Sequence, residues 1–218
     1  MTLLNNSFKR ILIVLGLAII GIYLSFSWVP VFNGIDISHH NDVDWKKIEA
    51  NKNFKFCYIK ATEGKSFRDP ECQEHARNAR KHGLEVGLYH YFRTDVPALE
   101  QFKNFKQVYD KVKTNLIPAI DVEQQGNDFS NVEIVNKRLQ KLIDLFEKEY
   151  GTLPVVYLGG ECCVKVLHTV YPCPIWLRMF YIYHFVPNTA IKQTSIVDGL
   201  DMNYCKDLDR IRLKSVEW

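Results

Sequence analysis

Residues 116–123 read LIPAIDVE, an apolar run that ends in the two carboxylates Asp121 and Glu123. Comparable runs, rich in aromatic and β-branched residues, occur at residues 34–38 (GIDIS), 54–61 (FKFCYIKA), 86–92 (VGLYHYF) and 154–158 (PVVYL). Such runs are typical of strands that are covered on both faces, as in a parallel sheet. The sequence therefore predicts a parallel sheet in which residues 116–123 form the fourth strand.

Amphipathic stretches between these strands predict helices. They cover residues 44–50, 69–82, 97–113 and 132–150, with Asp44 and Asp69 as N-caps. Weaker strand signals follow at 175–180, 192–195 and 200–204. Regular alternation of strand and helix predicts an α/β fold, and both an open doubly wound sheet and a closed barrel fit it. The helix-poor last third favours a single irregular (β/α) TIM-like barrel, roughly (β/α)5(β)3.

The N-terminal segment is apolar from Ile11 to Val29 and follows the basic pair Lys9-Arg10. About 20 apolar residues span a bilayer, and basic residues hold their end in the cytoplasm. We therefore expect residues 1–30 to form a transmembrane anchor, with membrane contact through residues 11–29. A cleaved signal peptide is the alternative, because Ser25-Phe26-Ser27 resembles a cleavage site. Both readings export residues 31–218, either anchored at the periplasm or cell surface, or secreted.

Composition and cysteine spacing exclude several classes of function. The formal net charge is only +3 and the basic residues are spread along the chain, so we expect no nucleic-acid partner. No CxxC pair occurs among the six cysteines, and we expect neither a metal nor a cofactor. Cys57 lies within a strand and predicts a buried thiol, whereas a disulfide from Cys173 to Cys162 or Cys163 remains open. We expect a monomer.

The polar residues at the strand ends are the candidates for a functional site, because active sites of such folds lie at the carboxyl ends of strands. Asp121 and Glu123 are two residues apart, so they share one face with Cα atoms roughly 6.5–7 Å apart. Two buried like charges raise the pKa of one of them. One protonated acid beside one ionised carboxylate is what glycoside hydrolysis requires. Alone, the pair would more often be a solvated strand end, but the apolar run before it argues against that.

A series of short motifs makes the prediction specific. In order, they are GIDISHHN (34–41), DW (44–45), FCYIKATEG (56–64), DP (69–70), GLEVGLYHYFR (83–93), PAIDVE (118–123), PVVYLG (154–159), PIWL (174–177) and GLDMN (199–203). This series resembles the glycoside hydrolase family 25 lysozymes, the Chalaropsis-type muramidases. The resemblance implies an irregular β/α barrel over residues 31–218. It also implies metal-free cleavage of the β-1,4 bond between N-acetylmuramic acid and N-acetylglucosamine in peptidoglycan.

The resemblance implies roles for four acidic residues. Glu123 matches the general acid. Asp121 matches the second carboxylate, which stabilises the oxocarbenium-like centre or orients the acetamido group of the substrate. Asp36 and Asp201 match the other two acids of the cleft, and strand-end caps are their simpler interpretation.

Four further residues are candidates for substrate binding. Tyr89 and Tyr157 match aromatic positions near the sugar, and Trp176 is a candidate stacking platform. Glu63 is a candidate for the cleft wall. For the three aromatic residues, an ordinary core position is the alternative, and for Glu63 it is a surface loop.

The last third departs from the family pattern. Residues 191–195 lack the usual tryptophan, the loop before Asp201 is short, and Arg178 replaces a small residue. These departures keep a second hypothesis open, namely a catalytically impaired peptidoglycan-binding module tethered to the membrane. A hydrolase of another N-acetylated glycan such as chitin is the third.

Overall fold

The structure, a computed structural model, describes residues 32–160, 162–178 and 186–214. Residues 11–29, where a membrane anchor or signal helix is predicted, lie outside this part of the chain. Within it, no helix combines the length and the apolar character needed to cross a bilayer.

Eight strands close into a barrel. Their bounds are β1 Gly34–Ile37, β2 Phe56–Glu63, β4 Glu85–Tyr91, β5 Ala119–Glu123, β6 Val155–Gly159, β7 Ile175–Arg178, β8 Thr189–Val197 and β9 Leu200–Cys205. The ring closes because β1 pairs with β2 on one side and with β9 on the other. Neighbours are parallel except that β9 runs antiparallel to both β8 and β1. A short strand β3, Phe67–Arg68, pairs with the end of β2.

Five helices follow the first five barrel strands in turn. They are α1 Trp45–Ala50, α2 Cys72–Lys81, α3 Ala98–Tyr109, α4 Val132–Tyr150 and α5 Cys162–Val170, and a 3-10 turn follows at Leu208–Arg210. Strands β7, β8 and β9 complete the ring, and within the described residues 186–214 no further α-helix follows them. The predicted α/β barrel is therefore confirmed. The five-helix count of the predicted (β/α)5(β)3 barrel is matched, but the sequence analysis gives no bounds for helix α5 or strand β3.

Alternation along the strands separates an inner from an outer layer. On β2, Phe56 and Tyr58 point into the barrel, whereas Cys57 and Ile59 pack under the helices. Gly34 leaves room for the ring of Phe56 and Gly87 for the ring of Tyr58. A Cβ at either glycine would lie 2.2–2.3 Å from the ring carbons. Large apolar side chains thus fill the amino-terminal half of the barrel interior, and polar side chains are confined to the carboxyl half.

Two element boundaries differ from the prediction. Helix α2 begins at Cys72, three residues after Asp69. One carboxylate oxygen of Asp69 accepts from the backbone N–H of Glu71 (3.0 Å), as an N-cap side chain does, and the other accepts from the backbone N–H of His39 (3.0 Å) and lies 2.8 Å from Nδ1 of His39. Helix α3 ends at Tyr109, four residues before the predicted end. His39 therefore has a structural role, since it links the end of β1 to Asp69.

Strand β5 begins at Ala119 rather than Leu116. Pro118 has no N–H to contribute to a sheet. The preceding residues pair instead with the chain after the 3-10 turn, where Ile117 N–H donates to the carbonyl of Ile211 (2.9 Å).

Among the cysteines, Cys57 is buried as predicted, and the thiol of Cys173 is free and buried. The disulfide considered for Cys173 is therefore not formed.

Strands β8 and β9 are joined by the two-residue turn Asp198-Gly199. Both residues have left-handed backbone, with φ of 52° and 77°. This is the conformation of a tight hairpin whose twist matches that of the strands. The short loop before Asp201 that the sequence indicates is therefore a minimal hairpin.

Candidate active site

A cleft of about 460 Å³ opens at the carboxyl ends of the parallel strands. Residues from each of the eight barrel strands, or from the loops that follow them, contribute to its lining. All eight residues that the sequence nominates lie in it: Asp36, Glu63, Tyr89, Asp121, Glu123, Tyr157, Trp176 and Asp201. The closure of the barrel brings together side chains that are up to 165 positions apart in the chain, from Asp36 to Asp201.

Four carboxylates face one another inside the cleft. Asp121 and Glu123 lie two residues apart on the inner face of β5. Asp36 on β1 and Asp201 on β9 are direct cross-strand partners. Asp201 lies near the start of β9, and the antiparallel direction of that strand brings it to the same end of the barrel as the other three.

Burial dominates the electrostatics of this cluster. Removal from water, reinforced by the charge of Glu123, raises the pKa of Asp121 well above its ordinary value. Burial, reinforced by Asp201, likewise raises the pKa of Asp36 well above its ordinary value. Burial also raises the pKa of Asp201, whereas the guanidinium of Arg178 opposes that rise. Because these carboxylates are buried close together, the charge of each one influences the titration of the others.

Glu123 lies directly against a glycine. It is in register with Gly159 on β6, where an added Cβ would be 2.9 Å from Glu123 Oε1. Asn127 fixes the end of the same strand, because its Nδ2 donates to the carbonyl oxygens of Glu123 (3.0 Å) and Phe92 (2.9 Å). Space for the Glu123 carboxyl is thus provided by the absence of a side chain on the neighbouring strand.

The aromatic residues form the floor of the cleft. Trp176 is 2% exposed and Tyr157 is 5% exposed, so neither presents an open ring face. The Nε1–H of Trp176 donates to Oδ1 of Asn203 (2.8 Å), and the hydroxyl of Tyr157 donates to Oε1 of Gln193 (2.8 Å). Tyr157 and Trp176 are therefore core residues that also line the cleft, whereas Tyr89 is half-buried.

Cations and a glutamate form one wall. The ammonium of Lys60 donates to Glu63 (2.8 Å) and lies 4.8 Å from the centre of the Tyr91 ring. Nη1 of Arg93 reaches the other carboxylate oxygen of Glu63 at 3.4 Å. The hydroxyl of Tyr91 donates to the carbonyl of Gln125 (2.7 Å), which links this wall to the loop after β5.

The sequence did not assign site roles to several cleft residues. They include Lys60, Tyr91, Arg93, Gln125, Arg178, Gln193 and Asn203. Three of them carry a signal that was available: Tyr91, Arg178 and Asn203 each lie two positions after a nominated residue, and residues two apart on a strand share a face. Gln193 has no such signal, because its neighbour Ile191 is apolar core.

Within the described residues, no group of three or more His, Cys, Asp and Glu side chains is arranged to hold a metal ion. The model of the glycosyl hydrolases family 25 matches residues 35–195. The chain belongs to glycosyl hydrolase family 25.

Relatives of this family 25 chain agree with the assignment. It is 31% identical to a family 25 glycosyl hydrolase from Bacillus anthracis, covering 80% of this chain and 88% of that one with a TM-score of 0.71. It is 34% identical over 149 residues to the autolytic lysozyme of Clostridium acetobutylicum, covering 67% of this chain and 44% of that protein. It is 31% identical over 133 residues to the uncharacterized protein YegX of Escherichia coli, covering 59% of this chain and 48% of that protein. The chain thus spans about half the length of the last two relatives, the autolytic lysozyme and YegX.

Proposed function

We propose that this chain is a lysozyme that hydrolyses the β-1,4 bond between N-acetylmuramic acid and N-acetylglucosamine in peptidoglycan. The observation that carries the proposal is the buried cluster of four carboxylates in the cleft of a family 25 barrel. The autolytic lysozyme of Clostridium acetobutylicum, a relative by sequence, supports the choice of substrate.

In this proposal Glu123 is the general acid. Its proton passes to the glycosidic oxygen as the bond between that oxygen and the anomeric carbon breaks, and the bonding electrons leave with the oxygen. Water then adds to the anomeric carbon and its proton returns to Glu123. The place of Glu123 at the end of β5, against Gly159, supports this role because the carboxyl stands at the rim rather than the floor.

Asp121 is the second carboxylate, deeper in the cleft. Its Oδ1 is buried and has no hydrogen-bond partner in the described part of the chain. An unpaired buried acceptor is costly, and an N–H of the substrate's acetamido group would satisfy it. Negative charge at this position also stabilises the positive anomeric centre. Asp36 and Asp201 complete the electrostatic field around that centre.

The remaining nominated residues shape the part of the cleft that receives the sugar rings. Tyr89 is half-buried at the cleft surface and offers its ring to a sugar, whereas Tyr157 and Trp176 shape the floor. Glu63, held between Lys60 and Arg93, contributes a hydrogen-bond acceptor on one wall.

The proposal includes export. Residues 1–30 serve as a signal anchor or signal peptide and residues 31–218 as the catalytic domain, outside the cytoplasm where peptidoglycan lies. The apolar run at residues 11–29 behind Lys9 and Arg10 supports this.

The test compares the full chain with its Glu123→Gln and Asp121→Asn variants, which keep side-chain size and remove one charge each. Release of reducing ends from peptidoglycan should fall by about 10²–10⁴-fold when the general acid is removed. An aryl glycoside whose phenol leaves without protonation should separate the roles. Glu123→Gln should retain most of its activity on that substrate, and Asp121→Asn should lose activity on both.

The controls discriminate among the hypotheses. Wild-type chain that binds insoluble peptidoglycan and leaves it intact would indicate the binding module instead. Cleavage of chitin in preference to peptidoglycan would indicate the third hypothesis, a hydrolase of another N-acetylated glycan. Equal losses for Glu123→Gln on both substrates would refute its role as acid.

A further inference from the structure

A hydrogen-bond chain connects three barrel strands behind the carboxylate cluster. The Nε1–H of Trp176 on β7 donates to Oδ1 of Asn203 on β9 (2.8 Å), and Nδ2 of Asn203 donates to Oδ2 of Asp36 on β1 (2.7 Å). We propose that Asn203 is a positioning residue whose amide, oriented by Trp176, fixes the Oδ2 atom of Asp36 as a hydrogen-bond acceptor. The inference rests on the proposed function for its catalytic consequence, but not for its geometry.

The chemistry of indole determines which way the amide of Asn203 faces. An indole N–H is a donor only, whereas an amide carries a donor group at one end and an acceptor at the other. With the amide reversed, its NH₂ group would face the Trp176 donor and its oxygen would face the carboxylate of Asp36, and both bonds would be lost. Trp176 therefore selects the orientation that presents N–H to Asp36.

Burial makes this selection strong. Asn203 is fully buried and Trp176 is 2% exposed, so water cannot replace either bond. The Nδ2 atom also lies 3.3 Å from the carbonyl oxygen of Asp201, which provides an acceptor for its second hydrogen. Both N–H hydrogens and one lone pair of the amide oxygen are thus engaged, and a buried polar group left unpaired here would cost stability.

The consequence is an asymmetric Asp36. Its Oδ2 accepts from Asn203 in either protonation state, so a proton on Asp36 resides on Oδ1. The bond from Asn203 favours the ionised form and lowers the pKa of Asp36, opposing both burial and the charge of Asp201, which raise it. Asn203 therefore decides how readily Asp36 supplies negative charge to the cleft.

Several other titratable groups surround Asp36 and enter any pH profile. The charged groups are Asp201 on β9, Asp121 and Glu123 on β5, and Arg178 on β7. The phenols of Tyr89 and Tyr157 also lie within electrostatic range of Asp36, as does the thiol of Cys57 from the outer layer of β2. None of these is changed by a substitution at position 203, so a shift seen on that substitution reports the lost bond.

The experiment follows the carboxyl carbon of Asp36 by NMR during a pH titration of the full chain, alongside the pH dependence of kcat/KM. Asn203→Leu removes the donor and should raise the pKa of Asp36 by about one unit, the usual scale for a hydrogen bond to a charged group. Trp176→Phe leaves the amide of Asn203 free to reverse, so this variant should raise the pKa of Asp36 by less than Asn203→Leu does. The acid limb of kcat/KM should move upward with the carboxyl titration.

Gln101→Leu serves as the matched control, because Gln101 is an equally buried amide that bonds to Arg93 and His90 outside the barrel interior. It should lose stability without moving the titration of Asp36. A wild-type titration curve in both Asn203→Leu and Trp176→Phe would overturn the inference, and Trp176→Phe keeps the test decisive if Asn203→Leu fails to fold. A wild-type chain that cleaves no glycan would refute the proposed function while leaving the carboxyl titration as a test of the geometry.

Discussion

Replacing Gly159 with alanine would displace Glu123 without removing it. The added Cβ would lie 2.9 Å from Oε1 and 3.2 Å from Cδ of Glu123, and 3.0 Å from Cε1 of Tyr157, whereas ordinary contacts begin at 3.4 Å. Tyr157 is held by its bond to Gln193, so the more exposed Glu123 is the group that moves. Relief of the contact requires a shift of about half an ångström in the carboxyl position.

The magnitude follows from the sensitivity of catalysis to position. A misplacement of about 1 Å costs on the order of 10²-fold in rate, so about half of that shift should cost roughly 10-fold in kcat/KM. This corresponds to about 1.4 kcal/mol of transition-state stabilisation. Stability should change little, because Gly159 does not have left-handed backbone. An alanine there restricts the unfolded chain and offsets the strain by about 0.4–1 kcal/mol.

The neighbouring glycine provides a matched control. Gly160 has φ of 77°, and an added Cβ would meet nothing within 4 Å. Gly160→Ala should therefore lose about 1–2 kcal/mol of stability through backbone strain and leave kcat/KM unchanged. The two variants are compared by peptidoglycan turnover and urea unfolding. Full activity in Gly159→Ala, or equal losses of activity in both variants, would refute the claim that Gly159 makes room for the acid.

Three other changes test the cleft and the barrel. Arg178→Ala removes a cation that lowers the pKa of Asp201, so the acid limb of kcat/KM should move to higher pH; an unchanged limb would contradict this. Gly87→Ala places a Cβ 2.3 Å from the ring of Tyr58 and should cost several kcal/mol in urea unfolding, as overpacked cores do; a loss under about 1 kcal/mol would show that the ring can yield. Burial lowers the pKa of His90 to about 4. The folded state therefore binds fewer protons than the unfolded state between about pH 6.5 and 4, and stability falls on acidification through that window. His90→Gln should lose less stability than wild type between pH 7 and 4.5, and equal losses would exclude this role.

The barrel and most of the cleft residues could be predicted from the sequence, and one physical reason explains why. Runs such as residues 54–61 are apolar on both faces because helices cover one side and the barrel interior the other. The two-residue spacing of Asp121 and Glu123 in the sequence predicts that both side chains lie on one face of the strand. Residues two apart on a strand share a face, so Trp176 on β7 indicates Arg178 and Asp201 on β9 indicates Asn203.

The remaining features depend on contacts between distant parts of the chain. Asp69 accepts a bond from the nearby Glu71 N–H, but its second carboxylate oxygen binds His39, thirty positions earlier, which no local pattern indicates. The start of β5 is shortened by pairing with residues near 211, which no local pattern indicates. The orientation of Asn203 is set by an indole from another strand. Such constraints are decided by register between strands, and a single sequence does not specify that register.

The hairpin at Asp198-Gly199 has a consequence for how this cleft can change over evolution. Because β9 is antiparallel to β8, the chain reverses direction in one tight turn at the cleft end of the barrel, shortly before Asp201. Ile196, which lines the cleft and is 54% exposed, stands on the ascending arm of that turn. Insertions at the turn would extend this arm over the groove while every barrel pairing stayed intact. Under the proposed function, the length of this hairpin would therefore determine which glycan strands enter the cleft, without any change to the carboxylates below it.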